Sequence, residues 1–325
     1  MSAPASNHPD EYVTFLHSQD RGPTARLVQR VLTVFVAFLT TRAKVVTTAD
    51  AEDLRAYRLF LTTPEASADG RGLARSTQGT HLAMVRSFYR WLRRRHLVIG
   101  DPCKGIKPPR TTSHTVRKDY LDQQEAQAFL DTTAGFVETA TPGSMPWAAA
   151  LRDLALVAVA IATGRRRAGL CGLHVTDLDL ERGELRVERE KGRPGRVLPM
   201  ASWAVAITAA YLRQARPVLL RGREVPWLFV GRVSDRIGHE TYAALIQRLH
   251  AATCASNPDL RGLPHKRITT HCLRVSCARL LFSNGCPIRS VNEILLHSNL
   301  STTARYTPIP VEELRRVLAT SHPRA

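Results

Sequence analysis

His271 and Arg274 stand three residues apart in the segment ITTHCLRVSCARLLFSNG. On a helix that spacing puts both side chains on one face, with Cβ atoms about 5–6 Å apart. A guanidinium offers a planar fork of donors and an imidazole a further ring N–H, so the pair can grip one phosphate. An ordinary salt-bridging pair on a surface helix is the plainer reading of the same residues. Other residues able to do chemistry flank it. Upstream lie Thr163-Gly164-Arg165-Arg166-Arg167 and then Lys191 in the turn KGRPG; downstream lie His297 and Tyr306 in LLHSNLSTTARYTP. Each also has a bland reading: Arg166 as part of a solvated basic run, Lys191 as any polar turn residue, Tyr306 as a packing aromatic.

Several other chemistries find no support. The chain has no H-E-x-x-H, no Walker A loop and no nucleotide-binding glycine fingerprint. Asp177, Asp179 and Glu181 form the one tight acidic cluster, and its place at the entry to a strand reads as a solvated turn rather than a metal site. A metal-dependent nuclease needs converging carboxylates. The six cysteines, at 103, 171, 254, 272, 277 and 286, form no C-x-x-C pair. They read as reduced thiols of a cytoplasmic protein. Cys272 and Cys277 beside His271 match no common zinc spacing. No metal or cofactor is implied.

At about 150 residues per domain, 325 residues suggest two domains. The 46 basic and 28 acidic residues leave a net charge of +18, which favours nucleic acid or an anionic membrane surface as partner. Arginine dominates, 40 against 6 lysines, and its fork suits phosphate. Membrane insertion is not expected, because the apolar run Leu154 to Thr163 is half the roughly 20 residues a spanning helix needs. The start, MSAPASNHPDEY, lacks the basic and apolar regions of a secretory signal.

Residues 1–10 read as a loose polar tail. Helical periodicity follows over 26–39, over 49–61 with Asp50 as N-cap, and over 76–96 with the stripe Leu82, Val85, Phe88, Tyr89 and Leu92. These make a small bundle, with Arg86, Arg90, Arg93 and Arg94 on other faces of its last helix. The proline-rich DPCKGIKPPRTTSH reads as an extended linker, and Asp122 and Glu125 form a D-x-x-E signature that opens a helix. A domain boundary therefore falls near 110–118. Residues 1–112 carry 17 basic and 9 acidic residues, residues 113–325 carry 29 and 19. Two basic domains fit a shared polyanion. In the second, 148–162 reads as a buried helix, 174–200 as short antiparallel strands with turns at ERGE and KGRPG, and 202–214, 240–252, 270–283, 288–295 and 310–319 as helices.

Taken together, the motifs resemble those of the tyrosine recombinases, the integrase family that includes the Xer-type and phage enzymes. ATGRRRAGLCGLHVTDLDLERGELRV resembles the family's A-T-G-x-R-x-x-E-L-x-x-L-x-x-x-D-[IL]-D segment. EKGRPGRVLP resembles its G-K-G-x-K-x-R-x-V-P hairpin, THCLRVSCARLLFSNG its H-x-L-R-H-x-x-A-x-x-L motif, and LLHSNLSTTARYT its L-G-H-x-x-x-x-T-T-x-x-Y-T. RSFYRWLRRRHLVIGDPC resembles the end of the core-binding domain. The likeness spans about residues 10 to 320.

The resemblance implies a fold that is mainly α with a small antiparallel β-sheet. A helical, SAM-like core-binding bundle over 11–112 would precede a mixed α/β catalytic domain over 113–325, closed by a protomer-docking helix. It implies a site-specific recombinase whose Arg166 and Arg274 clamp the scissile phosphate, with Tyr306 as nucleophile, His271 as base, Lys191 as acid and His297 as hydrogen-bond donor. Arg86, Arg90, Arg93 and Arg94 would meet the DNA backbone. It also implies duplex DNA carrying specific sites, a tetramer on two such sites, and a partner recombinase or DNA-bending protein, with no membrane. Two departures bear on activity: Gly169 replaces the family's acid, and Leu296 its common glycine. A type IB topoisomerase-like enzyme and a catalytically silent DNA-binding protein on the same fold are the alternatives.

Overall fold

The computed structural model describes residues 7–67, 69–109, 119–187 and 195–296. The chain divides into two compact units, Met1–Val116 and Arg117–Ala325.

The N-terminal unit packs helices α1 (His8–Ser18), α2 (Gly22–Thr41), α3 (Ala51–Phe60) and α4 (Arg75–Arg94) around one apolar core. Residues 8–10 belong to α1, not to the polar tail expected over 1–10. Pro9 in the first turn and the acids Asp10 and Glu11 suit a helix N-terminus, and Tyr12, Val13 and Leu16 bury the opposite side. Asp50 caps α3: its carboxylate accepts from the amides of Glu52 and Asp53, and Asp53 accepts in return from the Asp50 amide. The stripe on α4 is buried throughout. Its Tyr89 buries its ring and donates its hydroxyl to the Val46 carbonyl at 2.8 Å, so the polar end of the side chain is satisfied where water is absent.

The second unit opens with α5 (Gln123–Glu138), capped by the reciprocal Asp122–Glu125 box. The cap serves two amides at once, so Asp122→Ala is expected to destabilise this unit by about 1 kcal/mol, read as a lower urea midpoint at unchanged slope. Glu125 is also held by Lys266 Nζ at 2.5 and 2.7 Å, which fastens the start of α5 to the segment leading into a later helix. Next, α6 (Met145–Thr163) runs through the middle of the core. It starts earlier than its apolar run and is long and apolar enough to cross a membrane by length and composition, as is Thr24–Thr41 of α2, although most of α6 is buried within the unit.

After the short α7 (Arg167–Cys171), strands β1 (Leu178–Asp179), β2 (Glu184–Val187) and β3 (Arg196–Pro199) pair antiparallel in that order. Leu185 faces Leu198 and Val187 faces Arg196. Leu185 and Val187 are buried while Arg186 between them is exposed, the alternation that a sheet with one covered face requires. The carboxylates of the acidic cluster serve local turns: Asp177 accepts from the His174 amide and Asp179 from the Arg182 amide.

Helices α8 (Ser202–Ala210) and α9 (Arg216–Leu220) are joined by a π-helical turn over Tyr211–Ala215. Pro217 has no amide to donate and its ring crowds the carbonyl four residues back, which explains a widened turn at this point. Helices α10 (His239–Ser256), α11 (Thr270–Ser283) and α12 (Ile288–Ile294) complete the described chain. The helix expected over 310–319 and residues 191–194 of the KGRPG turn lie outside the described residues.

Candidate active site

Helix α11 is the centre of the arrangement. Thr269 caps it, accepting from the Cys272 amide, so the helix begins one residue before His271. His271 is exposed in the first turn, while Cys272 to Ala278 are all buried. Arg274 follows one turn below His271 on the same side, and its side chain runs inward to 3% exposure. Its guanidinium donates from Nη1 to the Gly164 carbonyl at 2.7 Å and from Nη2 to the Leu295 carbonyl. Gly164 lies 110 residues away in sequence and Leu295 21. One buried side chain thus joins the end of α6, α11 and the end of α12.

Gly164 closes α6 in the left-handed conformation, φ 58°, which only glycine adopts without strain. It is also hemmed in. A Cβ here would stand 2.4 Å from Leu295 Cδ2 and 3.1 Å from Cys277 Sγ. Burial pushes the Cys277 thiol up to about 12, against the opposing pull of Arg274. Cys277 is therefore an inert packing group beneath the site and no nucleophile at neutral pH.

The run of three arginines splits by environment. Arg165 is 9% exposed, and Arg166 and Arg167 are exposed. Arg166 forms the extended residue just before α7. Arg165 folds back over α7, with Nη2 2.7 Å from where a Cβ on Gly169 would sit. Gly169, which stands at the position of the family's acid, thereby leaves room for a buried guanidinium. No local sequence signal marks this contact.

A second tie went unseen in the sequence. Arg196 at the start of β3 pairs with Glu293 of α12, which brings the hairpin strand and α12 together. Lys191, His297 and Tyr306 lie outside the described residues. Among the described candidates, Arg274 joins the segments that carry Arg166 and His271. Leu296, the last described residue, has φ 53°, the conformation its family counterpart, glycine, tolerates at least cost.

The four α4 arginines fall into two kinds. Arg90, Arg93 and Arg94 are exposed, and Arg93 stands 3.9 Å from Asp101. Arg86 is half-buried and donates to the Ile106 carbonyl. Among the described residues no group of three or more His, Cys, Asp and Glu side chains is placed to share a metal ion.

Residues 119–312 match the family model described as "Phage integrase family". The tyrosine recombinase XerC of Pelotomaculum thermopropionicum is 31% identical over 277 residues, covering 84% of this chain and 82% of the relative. That of Mycobacterium sp. (strain KMS) is 33% identical over 254 residues, covering 78% and 79%. In fold, the chain is similar to the XerH site-specific recombinase bound to a palindromic difH substrate, with a TM-score of 0.70 at 16% identity over 99% of this chain and 86% of that one. It is likewise similar to the Tn1549 transposon integrase in complex with circular intermediate DNA, with a TM-score of 0.65 at 15% identity over 98% and 99%. Mainly helical, with its three-stranded antiparallel sheet and the Arg274 junction between the motif segments, the chain belongs to the phage integrase family, the tyrosine recombinases.

Proposed function

We propose that this recombinase cleaves and rejoins duplex DNA at specific sites through Tyr306. The phenolic oxygen of Tyr306 attacks the scissile phosphorus, and the bond from phosphorus to the 5′ oxygen breaks. A 3′-phosphotyrosyl link and a free 5′-hydroxyl result. A phenol near pKa 10 is mostly protonated at neutral pH, so its proton must leave as the bond forms; His271 takes it. Lys191 protonates the departing 5′ oxygen. Arg166 and Arg274 hold the non-bridging oxygens, whose negative charge grows in the pentavalent transition state, and preorganised guanidinium forks stabilise that charge. His297 adds a hydrogen bond. The phosphotyrosine keeps the energy of the broken diester, so attack by a 5′-hydroxyl reseals the strand without ATP.

The observation that supports this reading is the seat of Arg274, tied to both Gly164 and Leu295. Gly164 stands two residues before Arg166, and Leu295 two before His297. A phosphate-binding arginine so placed positions its neighbours by their backbones. Both basic units bind the DNA in the cytoplasm. Four protomers bring two sites together, with a partner recombinase or a bending protein where the site demands one, and the same chemistry serves integration, transposition and dimer resolution.

The test is a suicide substrate, nicked near the cleavage point and carrying the DNA that flanks the gene. The wild type is expected to form a denaturation-resistant protein–DNA adduct. Tyr306→Phe is expected to form none while binding the same DNA. Binding without an adduct in the wild type would instead favour a catalytically silent DNA-binding protein, the alternative that Gly169 and Leu296 raise.

A further inference from the structure

We propose that the Lys266–Glu125 ion pair, with the residues packed around it, is a positioning device for His271. This rests on the recombinase reading, in which His271 takes the proton of the nucleophile, and it names residues that no motif marks. Lys266 begins the four residues that lead into α11. Its ammonium donates to both oxygens of Glu125, at 2.5 and 2.7 Å, and to the Tyr120 carbonyl at 3.1 Å. The next three residues are pinned in turn. The Arg267 amide donates to Asp119 at 2.8 Å, and its carbonyl accepts from the Cys272 thiol. The Ile268 carbonyl accepts from the Gln247 side chain of α10 at 2.6 Å, and the Ile268 side chain is fully buried. Thr269 caps α11, and His271 follows two residues later. Residues 119–121 bind the helix further along as well. The Arg279 guanidinium stands 4.7 Å from the centre of the Tyr120 ring and the Lys266 ammonium 5.4 Å, while the Leu121 amide donates to Ser276 Oγ at 2.8 Å. One short segment thus holds both the approach to α11 and two later positions of that helix.

Stability alone does not call for this arrangement. Glu125 is buried, and the cost of desolvating two charges offsets most of their attraction, so an apolar pair of similar volume would hold the fold about as well. What the ion pair adds is direction. Charge-assisted hydrogen bonds are short and geometrically specific, so they fix where the backbone enters α11. His271 needs that precision. A general base must stand about 2.6–3.2 Å from the group whose proton it takes, and a misplacement of about 1 Å can cost about 10²-fold in rate. Arg274 on the same helix differs, because its own guanidinium is anchored to Gly164 and Leu295. Its seat is set from the far side of the helix and not by the entry segment. Lys266 acts through His271: its ammonium is committed to Glu125 and Tyr120, which makes it a positioning residue.

The experiment measures single-turnover cleavage of the suicide substrate by the full chain, with DNA affinity and melting temperature followed for each variant. Removing Lys266 alone would strand a buried carboxylate. The pair is therefore removed together, as Glu125→Gln with Lys266→Met, since glutamine can still close the cap with Asp122. This variant is expected to cleave about 10²-fold more slowly at unchanged DNA affinity. Asp119→Ala, which releases only the Arg267 amide and keeps the ion pair, is expected to slow cleavage by a smaller factor. In a His271→Ala background neither change is expected to slow cleavage further, because the residue they position is gone. Losses that multiply with that of His271→Ala would make the pair a general structural support and overturn the proposal. Cleavage at the wild-type rate by the folded pair variant would overturn it too. If the pair variant does not fold, Asp119→Ala decides by the same two criteria. Failure of the recombinase reading would show separately, as a wild type that binds DNA but forms no adduct.

Discussion

Arg274→Lys is expected to cut the single-turnover cleavage rate by about 10²–10³-fold, the usual loss when one preorganised donor to a developing anion is removed. Charge is conserved in this substitution, so the loss would report geometry. Arg274 works as a fork: Nη1 bonds the Gly164 carbonyl, Nη2 the Leu295 carbonyl, and the proposed mechanism directs other donors of the same guanidinium at the phosphate. A lysine concentrates its donors on one nitrogen and cannot span both carbonyls. The carbonyl that it abandons is buried, and an unsatisfied buried acceptor costs about 1–3 kcal/mol. Stability should therefore fall by that amount, measured by urea unfolding, alongside the kinetic loss. Cleavage within tenfold of wild type at unchanged DNA affinity would refute the role given to the fork.

Gly164→Ala is expected to be strongly destabilising for a change that adds a single methyl group. Two costs combine. A non-glycine residue at φ 58° pays about 1–2 kcal/mol. The added Cβ then meets Leu295 Cδ2 at 2.4 Å and the Cys277 side chain at 3.1 and 3.2 Å, and such overpacking costs typically about 1–3 kcal/mol. The sum, about 2–5 kcal/mol, should appear as a lower urea midpoint. A kinetic effect should exceed it, because the displaced residue is Leu295, whose carbonyl anchors Arg274. Gly169→Ala is the control. There the new methyl meets the Arg165 guanidinium, with Nη2 at 2.7 Å, rather than packed apolar side chains, and Gly169 has no positive φ. It should cost much less stability. Equal losses in the two variants would show that the crowding at Gly164 is not what holds the junction.

Both predictions concern a junction that no stretch of sequence displays. Local signals served well where the physics is local. The period of α4, the caps at Asp50 and Asp122, and the alternation of Leu185 and Val187 concern neighbours a few residues apart, and each appears in the structure. They failed where packing extends or starts an element. Helix α1 begins inside the expected tail because Tyr12, Val13 and Leu16 reach a core made by other helices. The helix expected over 202–214 continues through a π-turn and Pro217 to Leu220, because Tyr211 is anchored to the Leu228 carbonyl.

The motifs by themselves determined the family and named the candidate residues in their order, because those depend on side-chain identity and short spacing. The tertiary structure decided which arginine of the run is buried, that Gly169 makes room for Arg165, that Arg196 pairs with Glu293, and that Arg274 holds Gly164 and Leu295 at once. These contacts form between segments up to 110 residues apart. The reason is physical: a buried guanidinium takes whichever carbonyls the packed helices bring to it, and that choice is made by the core as a whole, not by the residues beside it in the chain.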